Sequence, residues 1–418
     1  MYWDGGGVVP ERFLHKGVFS REIRGDPPTF FIFSLTVSLT RSFMDPILII
    51  GSAGSVGHDM MYQIASMRSD IRVVGADINE AKGVYEVDEA LHTAHNLGHY
   101  PDLSFRKLDI FDINGTAEAL KELSPRVICN LGSLGSWWVT RLLPDDVYAK
   151  IGPIGPWLPN HLTLAHKLMQ AVKKSGIKTS VVNGAYPDLT NVVLGKLGLA
   201  PVCGGGNMDL GVSRVRRLIA RDMKVPFSSV QVYGVGHHGT FYTVRMGGPF
   251  WLKIVVDGED VSGRYPNERI VEMYQGYGYG KSVQYPSALV DQMRTASSFL
   301  KHVLAIYYDT REVQQSVAGP NGLPGAYPCR LGEDGAEVVL HGIGLKEAVK
   351  INEDGARIDG IERVKSDGTV VYLDKNVEYM REVVGYECKE LKPSESEERA
   401  RDLEKGLKRL YEKYKVKA

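Results

Sequence analysis

The sequence predicts an α/β fold, a doubly wound parallel sheet followed by a C-terminal α+β domain. Three observations predict it. Short apolar segments alternate with amphipathic ones from 46 to 131, the pattern of parallel strands joined by crossover helices. A glycine-spaced turn, Gly51-Ser52-Ala53-Gly54-Ser55-Val56-Gly57, joins the first apolar segment to the first amphipathic one. Beyond residue 184 the pattern changes to helices and antiparallel-looking strand pairs.

Taken in order, Pro46 to Ile50 reads as a buried strand, and Val56 to Met67 as a helix with apolar residues at near-helical spacing. Ile71 to Ala76 is a second strand ending in Asp77; residues 79–97 are helical, Leu103 to Leu108 a strand, 115–122 helical, and Arg126 to Leu131 a strand. A Gly/Pro/Trp-rich loop, 132–157, leads to a helix at 158–174, and Ile177 to Val182 closes the first half. A loop of that length without structure of its own is usually functional or disordered. The second half opens with a helix at 212–224 and a strand at Val230 to Val235. Phe250 to Val256, ending at Asp257-Gly258, predicts a hairpin. A long helix at 287–304, hairpins at 335–342 and 357–373, and a charged helix at 394–415 complete the chain. The last helix has a solvated face and an apolar stripe at Leu403, Leu407, Leu410 and Tyr411. The domains are therefore drawn as an extension over 1–43, a nucleotide-binding domain over 44–183 and an α+β domain over 184–418.

Lys plus Arg and Asp plus Glu number 50 each, so the 418-residue chain carries no net charge. That balance speaks against nucleic acid or an anionic membrane as the main partner. Cys129, Cys203, Cys329 and Cys388 are scattered, with no paired spacing for a disulfide framework or a thiolate zinc site. A reducing cytoplasm is the expected location. The apolar run from Phe30 to Leu39 is about half of the ~20 residues that span a bilayer. It runs into the first strand with no small-residue cleavage site, so residues 1–43 are read as a nonessential extension upstream of Met44.

In the glycine turn, Gly51 permits the tight bend, Gly54 lets backbone approach a pyrophosphate, and Gly57 lets helix and strand pack closely. The helix start offers unpaired N–H groups and a positive dipole end. Asp77, twenty residues beyond Gly57, can accept ribose hydroxyls and would repel a 2′-phosphate. Strand, turn, helix, strand and acid in this order predict a Rossmann dinucleotide site for NAD. Its expected contacts are Gly51, Ser52, Ala53, Gly54, Ser55, Val56, Gly57 and Asp77, with Ile78 directly after it, Gly132 after the fourth strand, and Asn183.

The turn also resembles the first turn of malate dehydrogenases. A second stretch carries a more specific likeness. Arg214-Val215-Arg216-Arg217-Leu218-Ile219-Ala220 continues through Val225-Pro226-Phe227-Ser228-Ser229-Val230 to Gly234-Val235-Gly236-His237-His238-Gly239. It resembles the lactate/malate dehydrogenase stretch from the substrate arginine to a Gly-Glu-His-Gly motif. Val182-Asn183 through Pro187-Asp188 is similar to the family's Asn-Pro-x-Asp turn, with two extra residues. The likeness covers 45–350. It implies an NAD-dependent 2-hydroxy acid dehydrogenase passing hydride between NAD and a 2-hydroxy/2-oxo acid, and a homodimer or homotetramer. His238 would be the acid/base, Arg214 would bind a substrate carboxylate, and Asn183 would lie beside the reacting oxygen.

The chain departs from the family at three places. The family's histidine-orienting aspartate falls on Gly211, so Asp209 would have to fill that role through a local shift. His237 replaces the motif's glutamate. The only arginine between Arg126 and Arg214 is Arg141, whose spacing differs from the family's loop arginine; the same loop brings Trp137, Trp138 and Trp157. These departures point to a substrate bulkier or less charged than a small dicarboxylate. They also leave two alternatives. One is an NAD- and metal-dependent enzyme similar to family 4 glycosidases, with Cys203 and His237 or His238 as metal ligands. The other is a non-catalytic NAD-binding protein.

Overall fold

The computed structural model describes residues 45–136, 139–241, 248–276 and 287–415. All of them belong to one compact unit, Ser42–Ala418. The extension assigned to 1–43, and Trp137 and Trp138, lie outside the described residues.

The first half alternates as expected. In chain order it contains β1 (Ile47–Ile50), α1 (Ser55–Ala65), β2 (Arg72–Asp77), α2 (Glu80–Asn96), β3 (Asp102–Lys107), α3 (Ile113–Leu123) and β4 (Val127–Asn130). It continues with α4 (Asp145–Ile151), α5 (Leu158–Ser175), β5 (Ser180–Asn183), α6 (Pro187–Lys196) and β6 (Cys203–Gly204). The strands pair in the order β3-β2-β1-β4-β5-β6, all parallel. Every residue of β1 and β4 is buried, as helices on both faces of a parallel sheet require. Ile50 lies opposite both Ala76 and Asn130, so these three strand ends meet at one edge. Between β1 and β4 the winding direction reverses, and a crevice opens there beyond the carboxyl ends of the strands.

The 132–157 segment is not the structureless loop its composition predicts. Asp145 and Asp146 occupy the first turn of α4, where a helix favours acidic residues. Val147 and Ile151, one turn apart, bury its inner face. Short 3₁₀ turns flank it at Val139–Leu142 and Gly155–Trp157. Trp157 is buried, and its Nε1 donates to the Ile151 carbonyl at 2.8 Å, which ties the end of the segment to the core.

The second half holds α7 (Met208–Met223), β7 (Val230–Gly236), a single turn α8 (His238–Phe241), β8 (Phe250–Val256), β9 (Glu259–Asp260), α9 (Asn267–Gly276) and α10 (Ser287–Tyr307). After them come β10 (Val313–Ala318), β11 (Ala326–Gly332), β12 (Gly335–Val338) and α11 (Leu345–Ala356). These strands form an antiparallel sheet in the order β10-β11-β7-β8-β9, with β12 on β11. The hairpin read at 335–342 thus begins earlier, with β11, and turns at Glu333-Asp334. The chain ends in β13 (Ile361–Val364), β14 (Val370–Tyr372), α12 (Asp374–Val384), β15 (Glu390–Leu391) and α13 (Ser396–Tyr414). The three strands make a separate antiparallel sheet.

A boundary at 183 cuts through the molecule, because the parallel sheet continues to Gly204. One apolar core joins Ile47, Ile49, Val182 and Cys203 of that sheet to Phe299, Val303, Val317 and Tyr327 of the second half. The core on the opposite face joins Leu48, Ile50 and Leu162 to Tyr372, Leu403 and Leu410 of the C-terminal segment. Burial against the sheet, rather than sequence order, makes the halves one body. Among the described residues no helix is long and apolar enough to cross a membrane.

Leu403 is fully enclosed where α13 meets this core. Leu403→Ala should lower unfolding stability by about 2–5 kcal/mol in a denaturant titration. A loss under about 0.5 kcal/mol, the scale of a surface change, would mean that α13 does not dock there.

Candidate functional site

The glycine turn is built as its spacing requires. Gly51 has φ +80°, and a Cβ there would lie 2.8 Å from the Gly132 nitrogen. A Cβ on Gly57 would overlap the Gly51 carbonyl oxygen. Gly54 precedes α1 in extended conformation, with no side-chain cap and no acidic residue in the helix's first turn. The helix start therefore keeps N–H groups and a positive end directed beyond the strands. Asp77 braces the turn, accepting from the Ala53 N–H at 3.3 Å and from the Asn79 N–H at 2.9 Å. A carboxylate with about four acceptor positions keeps capacity beyond these two bonds. Gly51, Gly54, Ser55, Val56, Gly57, Asp77 and Gly132 line one cleft. Ser52 and Ala53 are buried beneath it and shape the turn, whereas Ile78 is 59% exposed and does not line it.

The same cleft continues past Gly184, Ala185 and Tyr186 to His238. His238 opens α8 directly after β7, and its backbone N–H donates to Asp188 Oδ1 at 3.0 Å. Its ring Nδ1 lies 2.8 Å from Asp359 Oδ2. The Tyr186 hydroxyl donates to the same oxygen at 3.0 Å, and His237 Nδ1 approaches it at 3.3 Å. The Gly155 N–H holds the Asp359 carbonyl at 2.9 Å, and a side chain on Gly155 would collide with that oxygen. Burial works against both charges. The Asp359 carboxylate nevertheless lifts the His238 pKa above its ordinary value. In turn, the positive charge of His238 and the histidine hydrogen bonds hold Asp359 well below the usual carboxylate range. With Nδ1 committed to Asp359, proton exchange with a ligand falls to Nε2.

Asp209 does not orient His238. It lies in the first turn of α7, which starts at Met208 rather than 212, and faces α10. Both its oxygens accept from Lys301 Nζ at 2.8 Å, and Oδ2 also accepts from Ser298 at 2.6 Å. Burial raises its pKa, but the charges of Lys301 and His302 outweigh that and leave it lowered. The orienting acid is Asp359, 121 positions from His238 and beyond the stretch that resembles a known family. It follows α11 at the entrance to a hairpin, where no local spacing marks it.

Asn183 is buried, and its side chain is consumed internally. Its oxygen accepts from Asn130 at 2.9 Å and from the Ala185 N–H at 3.2 Å, and its nitrogen donates to Asn191 at 2.9 Å. It fixes the loop whose Gly184 and Ala185 line the cleft, and does not line the cleft itself. Arg214 lies one helical turn beyond cleft-lining Leu210 on α7 but does not itself line the cleft. Its guanidinium donates to the Tyr274 hydroxyl at 2.5 Å. Arg141 sits in the 3₁₀ turn of the 132–157 segment, and its charge opposes protonation of His238. Cys203 is sealed in the apolar core, and burial pushes its thiol up to about 12. Among the described residues, no group of three His, Cys, Asp or Glu could hold a metal ion. A Cys203–histidine metal centre therefore has no geometric support.

No protein-family model and no curated protein matches the chain. Solved structures do. The malate dehydrogenase of Plasmodium falciparum is 16% identical, with 81% of this chain and 100% of that chain covered and a TM-score of 0.55. The malate dehydrogenase of Picrophilus torridus is 19% identical, over 75% and 97% of the two chains, with a TM-score of 0.52. The lactate dehydrogenase of Cryptosporidium parvum, solved with lactic acid and nicotinamide adenine dinucleotide, is 19% identical over 76% and 98%, with a TM-score of 0.52. The chain has a lactate/malate dehydrogenase-like fold: a Rossmann sheet joined to an antiparallel second sheet.

The two aspartates can be separated by experiment. In Asp359→Asn the His238 imidazole should titrate at lower pH than in the unaltered protein, followed by NMR of the ring protons. Asp209→Asn should leave that midpoint in place. The reverse pattern would restore Asp209 as the orienting acid.

Proposed function

We propose that the protein is an NAD-dependent oxidoreductase that interconverts a 2-hydroxy acid and a 2-oxo acid. The single observation that carries this reading is the continuity of one cleft from the glycine turn to the His238–Asp359 pair. The residues present fit NAD. Gly51, Gly54 and Gly57 leave room for a pyrophosphate against the start of α1, and Asp77 stands at the end of β2 for ribose hydroxyls. When bound, NAD supplies the hydride acceptor at nicotinamide C4, or the donor when reduced.

The chain's own residues do the rest. His238 Nε2 takes the hydroxyl proton during oxidation and returns it to the carbonyl oxygen during reduction. Asp359 fixes the ring's tautomer and stabilises its cation, and Tyr186 and the Gly155 N–H hold Asp359 in place. Arg141 places positive charge near the oxygen on which charge develops, whereas Arg214 lies outside the cleft lining and would have to leave Tyr274 to meet a substrate carboxylate. Ser133, Ser136 and Ile154 of the 132–157 segment line this end of the cleft.

The direct test is a panel of 2-oxo acids with NADH, read by absorbance at 340 nm. His238→Asn should lower turnover by about 10²–10⁴-fold while NADH affinity is retained. Retained turnover would remove His238 from the chemistry. Gly57→Val should abolish NADH binding in a fluorescence titration, because its side chain must displace Gly51; normal binding would move the cofactor elsewhere.

The pH dependence has a definite sign. Reduction needs the protonated imidazole, and the histidine's pKa is raised. The reductive rate should therefore stay level to above the ordinary histidine value of 6.5 and fall only as pH passes the raised pKa. Asp359→Asn should move that fall to lower pH. The histidine's contribution to stability follows the same sign, full below its unfolded pKa and lost as pH rises through the folded one, whereas that of Asp359 is full above the unfolded carboxylate value and lost as pH falls through its lowered pKa.

A further inference from the structure

A second histidine lies at the reacting end of the cleft, and neither the acid/base chemistry nor the cofactor cradle uses it. His161 stands in the first turn of α5 and lines the cleft with His238. It is only 6% exposed, and its Nδ1 is enclosed without a hydrogen-bond partner. The two imidazoles flank one ring. His161 meets Tyr186 edge-on at 6.1 Å and His238 meets it at 5.6 Å. Nδ1 has no surface open to the cleft, so a ligand there meets the ring's other nitrogen, and binding that encloses that nitrogen without a partner is penalised.

The character of that ligand follows from the surroundings. Among the described residues, the cleft lining contains no lysine, arginine or glutamate, and its one aspartate, Asp77, is at the cofactor turn. With Arg141 assigned to the reacting oxygen and Arg214 outside the lining beside Tyr274, a second carboxylate buried beside His161 would have no cation of its own. Burial, aided by the charge of His238, depresses the His161 pKa to about 4, so at neutral pH the ring is uncharged and offers one donor and one acceptor. Ile154 in the lining supplies apolar surface for a carbon chain.

We propose that His161 is the specificity residue for the substrate's side chain, selecting a 2-hydroxy/2-oxo acid with an uncharged hydrogen-bonding group, such as a hydroxyl, beyond the reacting carbon. This rests on the dehydrogenase reading above and deepens it. His238 and Asp359 act on the reacting carbon and its oxygen, and His161 reads what is attached to it. The selectivity comes from leaving a buried polar nitrogen unpaired when the wrong side chain is bound.

The test uses the full chain and an isosteric pair, glycerate against 2-hydroxybutyrate, in which a hydroxyl replaces a methyl. Neither acid can pass hydride to NADH, so calorimetric dissociation constants, taken with and without NADH, report recognition independently of turnover. Glycerate should bind roughly tenfold or more tightly than 2-hydroxybutyrate. His161→Leu should bring the ratio near one by weakening glycerate, and His161→Asn, which keeps a donor and an acceptor, should restore part of it. NADH affinity should not change in either variant. With the matching 2-oxo acids the loss should appear in KM rather than kcat. An equal ratio in the unaltered protein, or a ratio that survives His161→Leu, overturns the proposal. Weakened NADH binding with both acids affected alike also overturns it, and assigns the nitrogen to the cofactor's carboxamide. Preferential glycerate binding without turnover on any 2-oxo acid would sink the dehydrogenase reading and leave the His161 assignment standing.

Discussion

The candidate site depends on one buried carboxylate oxygen. Asp359 Oδ2 receives the Tyr186 hydroxyl and His238 Nδ1, with His237 Nδ1 close by. Such an oxygen is stable in an apolar interior only because donors and positive charge surround it. Removing Asp359 would leave several buried polar groups without their common partner. The interaction therefore does two things at once: it closes the interior where three segments meet, and it makes His238 more basic.

Those segments are far apart in sequence. Tyr186 follows β5, His238 follows β7, and Asp359 precedes β13. Their meeting requires the C-terminal sheet to dock against the parallel sheet, which the core shared by Leu48, Leu162, Tyr372 and Leu403 brings about. The Gly155 N–H adds a fourth segment, since it holds the Asp359 carbonyl. Packing of the C-terminal helix and the position of an imidazole are thereby parts of one arrangement. The Asp209–Lys301–Ser298 cluster is a separate tie between α7 and α10.

At the opposite end of the cleft the constraint is backbone geometry. Gly51 needs its left-handed conformation, and Gly57 needs to lack a side chain, because the turn folds back on itself between β1 and α1. The neighbouring strand also holds the turn, since the Ala76 carbonyl accepts from the Gly51 and Ser52 N–H groups at 2.8 and 3.2 Å. Asp77 joins it through the parallel pairing of β1 with β2, which brings the strand ends into line.

What is local in this fold is legible in the sequence. Apolar period and glycine spacing are local signals, and they make the parallel sheet, the glycine turn and the place of Asp77 legible, while the resemblance of Gly234–Gly239 to a family motif places His238 after a strand. Even there, α4 within 132–157 and the extension of the sheet to Cys203–Gly204 were hidden, the one by composition and the other by a strand of two residues. Which carboxylate faces His238 depends on long-range packing. Asp209 lies near the expected position in sequence, but helix phase turns it toward Lys301. Asp359 takes the place because the C-terminal segment packs back across the sheet. Nor does the sequence mark His161 as an imidazole with an enclosed, unpaired nitrogen or Asn183 as a side chain consumed internally. A hydrogen-bond partner is a property of three-dimensional neighbours, and these neighbours come from elements that only the folded core brings together.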